Sequence, residues 1–188
     1  MKLFYIAFAG VLYLASFVGD VFAQADHTLT IQLKDGPVVI QLMPDVAPKH
    51  VAQIEALAKK GAYDNVAFHR VIDGFMAQTG DVQYGNMSKG YDPSLAGTGG
   101  SDLPNIPAEF SKEPFVRGTV GMARAQDPNS ANSQFFIMFA DGSFLNGQYT
   151  AVGKVVSGME NVDKIKRGAG QNGEVTDPDR MVKVTTGK

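Results

Sequence analysis

The chain has 188 residues, 17 of them basic and 19 acidic, for a formal net charge of −2. That length supports one domain with a sizeable core, and the absence of any basic block argues against a nucleic-acid partner. Cysteine is absent, which excludes disulfides, thiolate catalysis and Cys-ligated zinc.

Met1-Lys2, an apolar run from Leu3 to Val18, and the tail Gly19-Asp20-Val21-Phe22-Ala23 have the layout of a secretory signal peptide. The run is shorter than the roughly 20 residues that span a bilayer. Residues 1–23 are therefore expected to be cleaved, with Ala25 as the alternative site, leaving residues 24–188 as an exported domain outside the membrane. In a Gram-negative host its compartment would be the periplasm.

Thr28 to Leu33 and Val38 to Leu42 alternate apolar and polar residues around Asp35-Gly36-Pro37, the pattern of a hairpin. Pro48 opens a helix in which Val51, Ile54 and Leu57 recur at helical spacing; Gly61 ends it. Val66–Ile72 and Phe75–Ala77 flank Asp73-Gly74, predicting a second hairpin with both turn residues at positive φ. Alternation puts Phe68, Arg70 and Ile72 on one face, and Met76 with Gln78 on one face of the returning strand. The irregular stretch Gly80–Lys112 is long enough to be functional, and is expected to wall one side of a groove.

Gly118–Ala123 reads as a strand, and Ser133–Phe139 as one covered on both faces. Asp141–Gly147 is a loop or single turn bringing in Phe144 and Leu145. Thr150–Val156 is a strand interrupted at Gly153, Gly158–Lys166 a second helix, and Met181–Val184 a last strand. Strands that do not alternate with helices exclude a parallel doubly wound sheet. The expected fold is mainly β: a closed eight-stranded antiparallel barrel with two flanking helices.

Other chemistries find little support. Gly168-Ala169-Gly170-Gln171-Asn172-Gly173 has dinucleotide-loop spacing but follows a helix and precedes none, so its glycines read as turn residues. His27, His50 and His69 are scattered, each expected to be solvated or hydrogen-bonded, with no metal-ligand spacing. Ser133 lacks the frame of a hydrolase elbow. No metal or cofactor is expected.

Three ordered blocks carry a resemblance. Phe68-His69-Arg70-Val71-Ile72-x-Gly74-Phe75-Met76-x-Gln78-x-Gly80-Asp81 resembles the signature hairpin of the cyclophilins, the peptidyl-prolyl cis–trans isomerases. Gly121-Met122-Ala123-Arg124-Ala125 with Asn132-Ser133-Gln134-Phe135-Phe136-Ile137 resembles their second block, and Phe144-Leu145-Asn146-Gly147 with Val152-Gly153-Lys154-Val155 their third. The resemblance spans Thr28 to Val184 and implies an eight-stranded barrel with two helices.

It also implies roles. Arg70 matches the catalytic arginine. Phe75, Met76, Phe136 and Leu145 match the walls of a proline pocket. Gln78 and Gln134 match groups that hold the peptide backbone, and Ala123 and Arg124 match the strand along which substrate lies. Phe144 and Tyr149 stand where the best-known eukaryotic members have Trp and His; bacterial members resemble this sequence more closely at both positions. Phe144 lacks an indole donor, so binding of cyclosporin-type inhibitors is expected to be weak. The partners implied are proline-containing polypeptides, handled by a monomer that assists folding. Two other readings stay open: a non-catalytic proline-peptide module on the same fold, and a lipocalin-type carrier barrel.

Overall fold

The computed structural model describes residues 27–187. The proposed signal peptide and its cleavage site lie outside them. Strands β1 (Thr28–Leu33) and β2 (Gly36–Leu42) form the first hairpin. Leu29, Ile31, Leu33, Val38, Ile40 and Leu42 are all buried, as the alternation requires. Leu33 pairs with Gly36, so the turn residues are Lys34-Asp35, and Pro37 lies within β2 opposite Gln32.

Helix α1 (Pro48–Lys59) buries Val51, Ile54, Leu57 and Ala58. Its N-cap, Ala47, has no side-chain acceptor to offer. Glu109, from the long loop, supplies one: its carboxylate accepts from Lys49 N at 3.2 Å and from His50 N at 3.1 Å.

Short β3 (Val66–Ala67) precedes the second hairpin, β4 (Arg70–Ile72) and β5 (Met76–Thr79). Ile72 pairs with Met76 and Phe75 N returns to Ile72 O, leaving a three-residue loop. Only Gly74 takes a positive φ there (68°), not Asp73. The chain leaves the ladder at Phe68-His69, which breaks the alternation. Phe68 joins Val71 and Ala77 in the main core rather than sharing the face of Arg70.

Strands β6 (Thr119–Met122), β7 (Phe135–Met138) and β8 (Ala151–Ser157) complete the middle of the sheet. In β7, Phe135 and Ile137 enter the main core while Phe136 and Met138 enter a second cluster with Met76, Phe115 and Leu145. That accounts for four consecutive apolar residues. Gly153 does not interrupt β8. It allows close packing, since a Cβ there would lie 2.7 Å from Gln41 O. A 3-10 turn spans Ser143–Leu145.

Helix α2 covers only Met159–Val162. Beyond it, Lys164 N bonds to Asn161 O and Ile165 N to Val162 O, the tighter i to i−3 pattern that ends an α-helix. Ile165 is still buried, so the apolar spacing recorded burial rather than a long helix.

The last strands are β9 (Arg180–Met181) and β10 (Lys183–Thr186). The main sheet runs β10-β1-β2-β8-β6-β7-β5-β4, and β3 pairs separately with β9. This corrects the expected closed barrel: β4 and β10 do not pair, and the sheet is an open half-barrel with two helices. The free edge of β4 is occupied instead. Val71 N donates to Gly173 O at 2.7 Å, and Gly168 N to Val71 O at 2.9 Å. An edge covered by a loop needs no partner strand.

Candidate active site

The β4–β5 register sets Arg70 opposite Gln78 and Ile72 opposite Met76; β7 then sets Phe136 opposite Gln78. Adjacent strands therefore bring a guanidinium, an amide, a thioether and a phenyl ring to one face. Arg70, Phe75, Met76, Gln78, Ala123, Arg124, Phe136, Phe144, Leu145 and Tyr149 line a single cavity of about 280 Å³.

Its floor is rigid. Phe136 is 5% exposed, stacks on Phe115 at 5.8 Å between centroids, and meets Tyr149 edge-on at 6.0 Å. Gly121 makes the stack possible, because a Cβ there would lie 2.5 Å from both rings. At the rim, Phe144 is 65% exposed, with its centroid 5.5 Å from that of Phe75.

Polar contacts hold the guanidinium on two sides. Arg70 Nη1 donates to Gln78 Oε1 at 3.2 Å, and Arg70 Nε to Asn172 O at 2.9 Å. Gln78 Nε2 donates to Gln134 Oε1 at 3.0 Å. Gln134 Nε2 in turn donates to Gly97 O at 3.0 Å and Gly99 O at 2.8 Å. Partial burial pulls the Arg70 guanidinium below its ordinary pKa, with Tyr149 opposing; arginine remains a cation at neutral pH.

Gln134 is the one predicted site residue outside the first cavity. It lines an adjoining cavity of about 250 Å³, with Gly97, Thr98, Gly99 and Asn132. Gln78, Ala123 and Arg124 border both, so the two form one continuous groove. The loop that walls it falls within Gly80–Lys112, as expected. Buried Asp81 shapes it, accepting from Gly97 N at 2.8 Å and Gly99 N at 3.0 Å. Arg124 lies 4.5 Å over the Tyr149 ring, and its Nη2 donates to Gln148 O at 3.0 Å.

Sequence reasoning missed Asp81 as the loop's anchor, and missed the Asn172 carbonyl, since a backbone acceptor has no side-chain signature. His27 and His50 have carboxylate partners, Glu55 and Glu109. His69 is buried with neither ring nitrogen bonded, contrary to expectation. Among the described residues no His, Cys, Asp and Glu group could hold a metal, and no helix is long and apolar enough to cross a membrane.

The groove and sheet have counterparts. The family described as "Cyclophilin type peptidyl-prolyl cis-trans isomerase/CLD" matches residues 28–186. A "Probable peptidyl-prolyl cis-trans isomerase" of Brucella suis is 63% identical, over 95% of this chain and 94% of that protein. "Peptidyl-prolyl cis-trans isomerase B" of Escherichia coli is 37% identical over 73% of this chain and 83% of its own. A Cryptosporidium parvum cyclophilin, whose crystal structure was determined in the presence of the dipeptide Ala-Pro, superposes with a TM-score of 0.72 at 26% identity. That match covers 86% of this chain and 99% of the parasite protein. With a match across nearly all its described residues, this chain belongs to the cyclophilin-type peptidyl-prolyl cis–trans isomerase family.

Proposed function

We propose that the protein, an isomerase by family, rotates X-Pro peptide bonds in the Arg70 cleft and assists the folding of exported proteins. Amide resonance opposes that rotation by about 18–20 kcal/mol. No bond breaks, so the reaction requires no nucleophile, metal or general base. It requires the proline ring to be held while the twisted amide is favoured.

Phe75, Met76, Phe136 and Leu145 hold the ring. As the amide twists, its nitrogen becomes pyramidal and basic. Arg70 then donates a hydrogen bond that the planar amide accepts poorly. Each increment of about 1.36 kcal/mol in that preference is tenfold in rate. Gln78 and Gln134 bind the peptide backbone, and Ala123 and Arg124 border its path.

The observation that carries this reading is the cavity shared by Arg70 with Phe75, Met76 and Phe136. The Ala-Pro dipeptide used with the related parasite cyclophilin supports a proline ligand. A protease-coupled assay on a proline peptide tests it: native-level cis–trans exchange by the enzyme is expected, and binding without acceleration would favour a non-catalytic module. The signal-like start, Met1 to Ala23, supports export, to the periplasm in a Gram-negative host. N-terminal sequencing of the mature protein should begin at Gln24.

A further inference from the structure

Gly168, Gly170 and Gly173 have the spacing of a dinucleotide loop without its context, yet two of them are tightly constrained. The segment from Gly168 to Val175 runs along the outer edge of β4, bridging Arg70 and Glu174 in antiparallel fashion. Besides the two bonds to Val71, Val175 N donates to His69 O at 3.1 Å. Gly173 has φ 70°, and a Cβ on it would lie 2.5 Å from Ile72 Cγ1 and 2.9 Å from Val71 O. A Cβ on Gly168 would lie 2.0 Å from Gly173 O. A side chain at Gly173 would lift the segment off β4, and one at Gly168 would force apart the segment's own two arms.

This close docking presents the Asn172 carbonyl to Arg70 Nε at 2.9 Å. Nη1 is already committed to Gln78 Oε1, and to a long contact with Met76 Sδ. Nη2 has no hydrogen-bond acceptor among the described residues. Because the guanidinium is a rigid plane, two anchors on different nitrogens fix its orientation.

We propose that the Gly168–Gly173 segment is the positioning element of Arg70: the Asn172 carbonyl and Gln78 together fix the guanidinium so that Nη2 is the donor offered to the prolyl nitrogen. The inference rests on the assignment of Arg70 to catalysis. Asn172 itself touches no substrate and acts through Arg70.

The direct test replaces Gly173 with glycolic acid by nonsense suppression in the full chain. The amide after Asn172 becomes an ester, whose carbonyl is a weaker acceptor. The lost N–H makes no hydrogen bond among the described residues. Expected are a fall in kcat of roughly threefold to tenfold, KM within about twofold of wild type, and a shifted 15N resonance for Arg70 Nε. Gly173→Ala should lose more. An ester variant with native kcat and an unmoved Nε resonance, alongside a crippled Arg70→Ala, would overturn the positioning role alone. Native activity in Arg70→Ala would overturn both the positioning role and the assignment beneath it.

Discussion

Arg70 stands directly opposite Gln78 in the β4–β5 ladder, and the guanidinium spans that pair to donate to the Gln78 side-chain oxygen at 3.2 Å. Register therefore sets the aim of the arginine: a one-residue slip would send it to the other face. Gln78→Ala removes this anchor and its link to Gln134, leaving only Asn172. We expect kcat to fall about tenfold in a proline-peptide assay, as one charge-assisted hydrogen bond is lost. A Gln78→Ala enzyme with native kcat would show that the pairing does not orient Arg70.

Phe144 is a rim residue without a donor. Its ring packs on Phe75, its face is open to solvent, and an indole there would place an N–H beside the cavity mouth. Phe144→Trp should tighten binding of a cyclosporin-type inhibitor by roughly tenfold, the value of one added hydrogen bond to a ligand. Calorimetric titration of both proteins checks it, and equal affinities would refute this account of the rim.

Two buried histidines make stability depend on pH. Burial pushes the His50 imidazole below its ordinary pKa, with Lys49 adding to the effect and the 2.6 Å bond to Glu109 opposing it. Burial likewise pushes His69 down, opposed chiefly by the Asp81 charge and helped by Arg70. For Glu109, burial acts upward, but hydrogen bonds from the His50 ring and from His50 and Lys49 N–H outweigh it and hold the carboxyl low. The folded state thus binds fewer protons than the unfolded chain once pH falls to about 6.5, so stability is lost on acidification. Each histidine contributes a slope of at most about 1.4 kcal/mol per pH unit. Tm should fall between about pH 7 and pH 5, and His50→Gln should flatten the fall. A wild-type Tm constant over that range would contradict it.

Much of this was legible from periodicity and turn chemistry. Alternation in Thr28–Leu33 and the helical spacing of Val51, Ile54 and Leu57 reported burial directly. That the sheet stays open was not legible, because what covers β4 is a loop bonding through its backbone, and Gly168 and Gly173 look like ordinary turn glycines. Phe68 was misplaced because a two-residue break in the ladder resets the face, and no residue type marks it. The residues around the cavity were named through the three cyclophilin-like blocks. Composition alone would have left Phe75, Met76 and Phe136 as core. Asp81 was quoted within a block, but its hold on the Gly97–Gly99 loop depends on contacts that spacing does not reveal.

The rate of cis–trans exchange in an X-Pro test peptide, measured for wild type and Arg70→Ala side by side, addresses the central claim most directly. If Arg70 stabilises the twisted amide as a preorganised donor, the variant should remain folded and lose on the order of 10²–10³ in kcat/KM. A folded Arg70→Ala protein that isomerises the peptide at the wild-type rate would contradict the account.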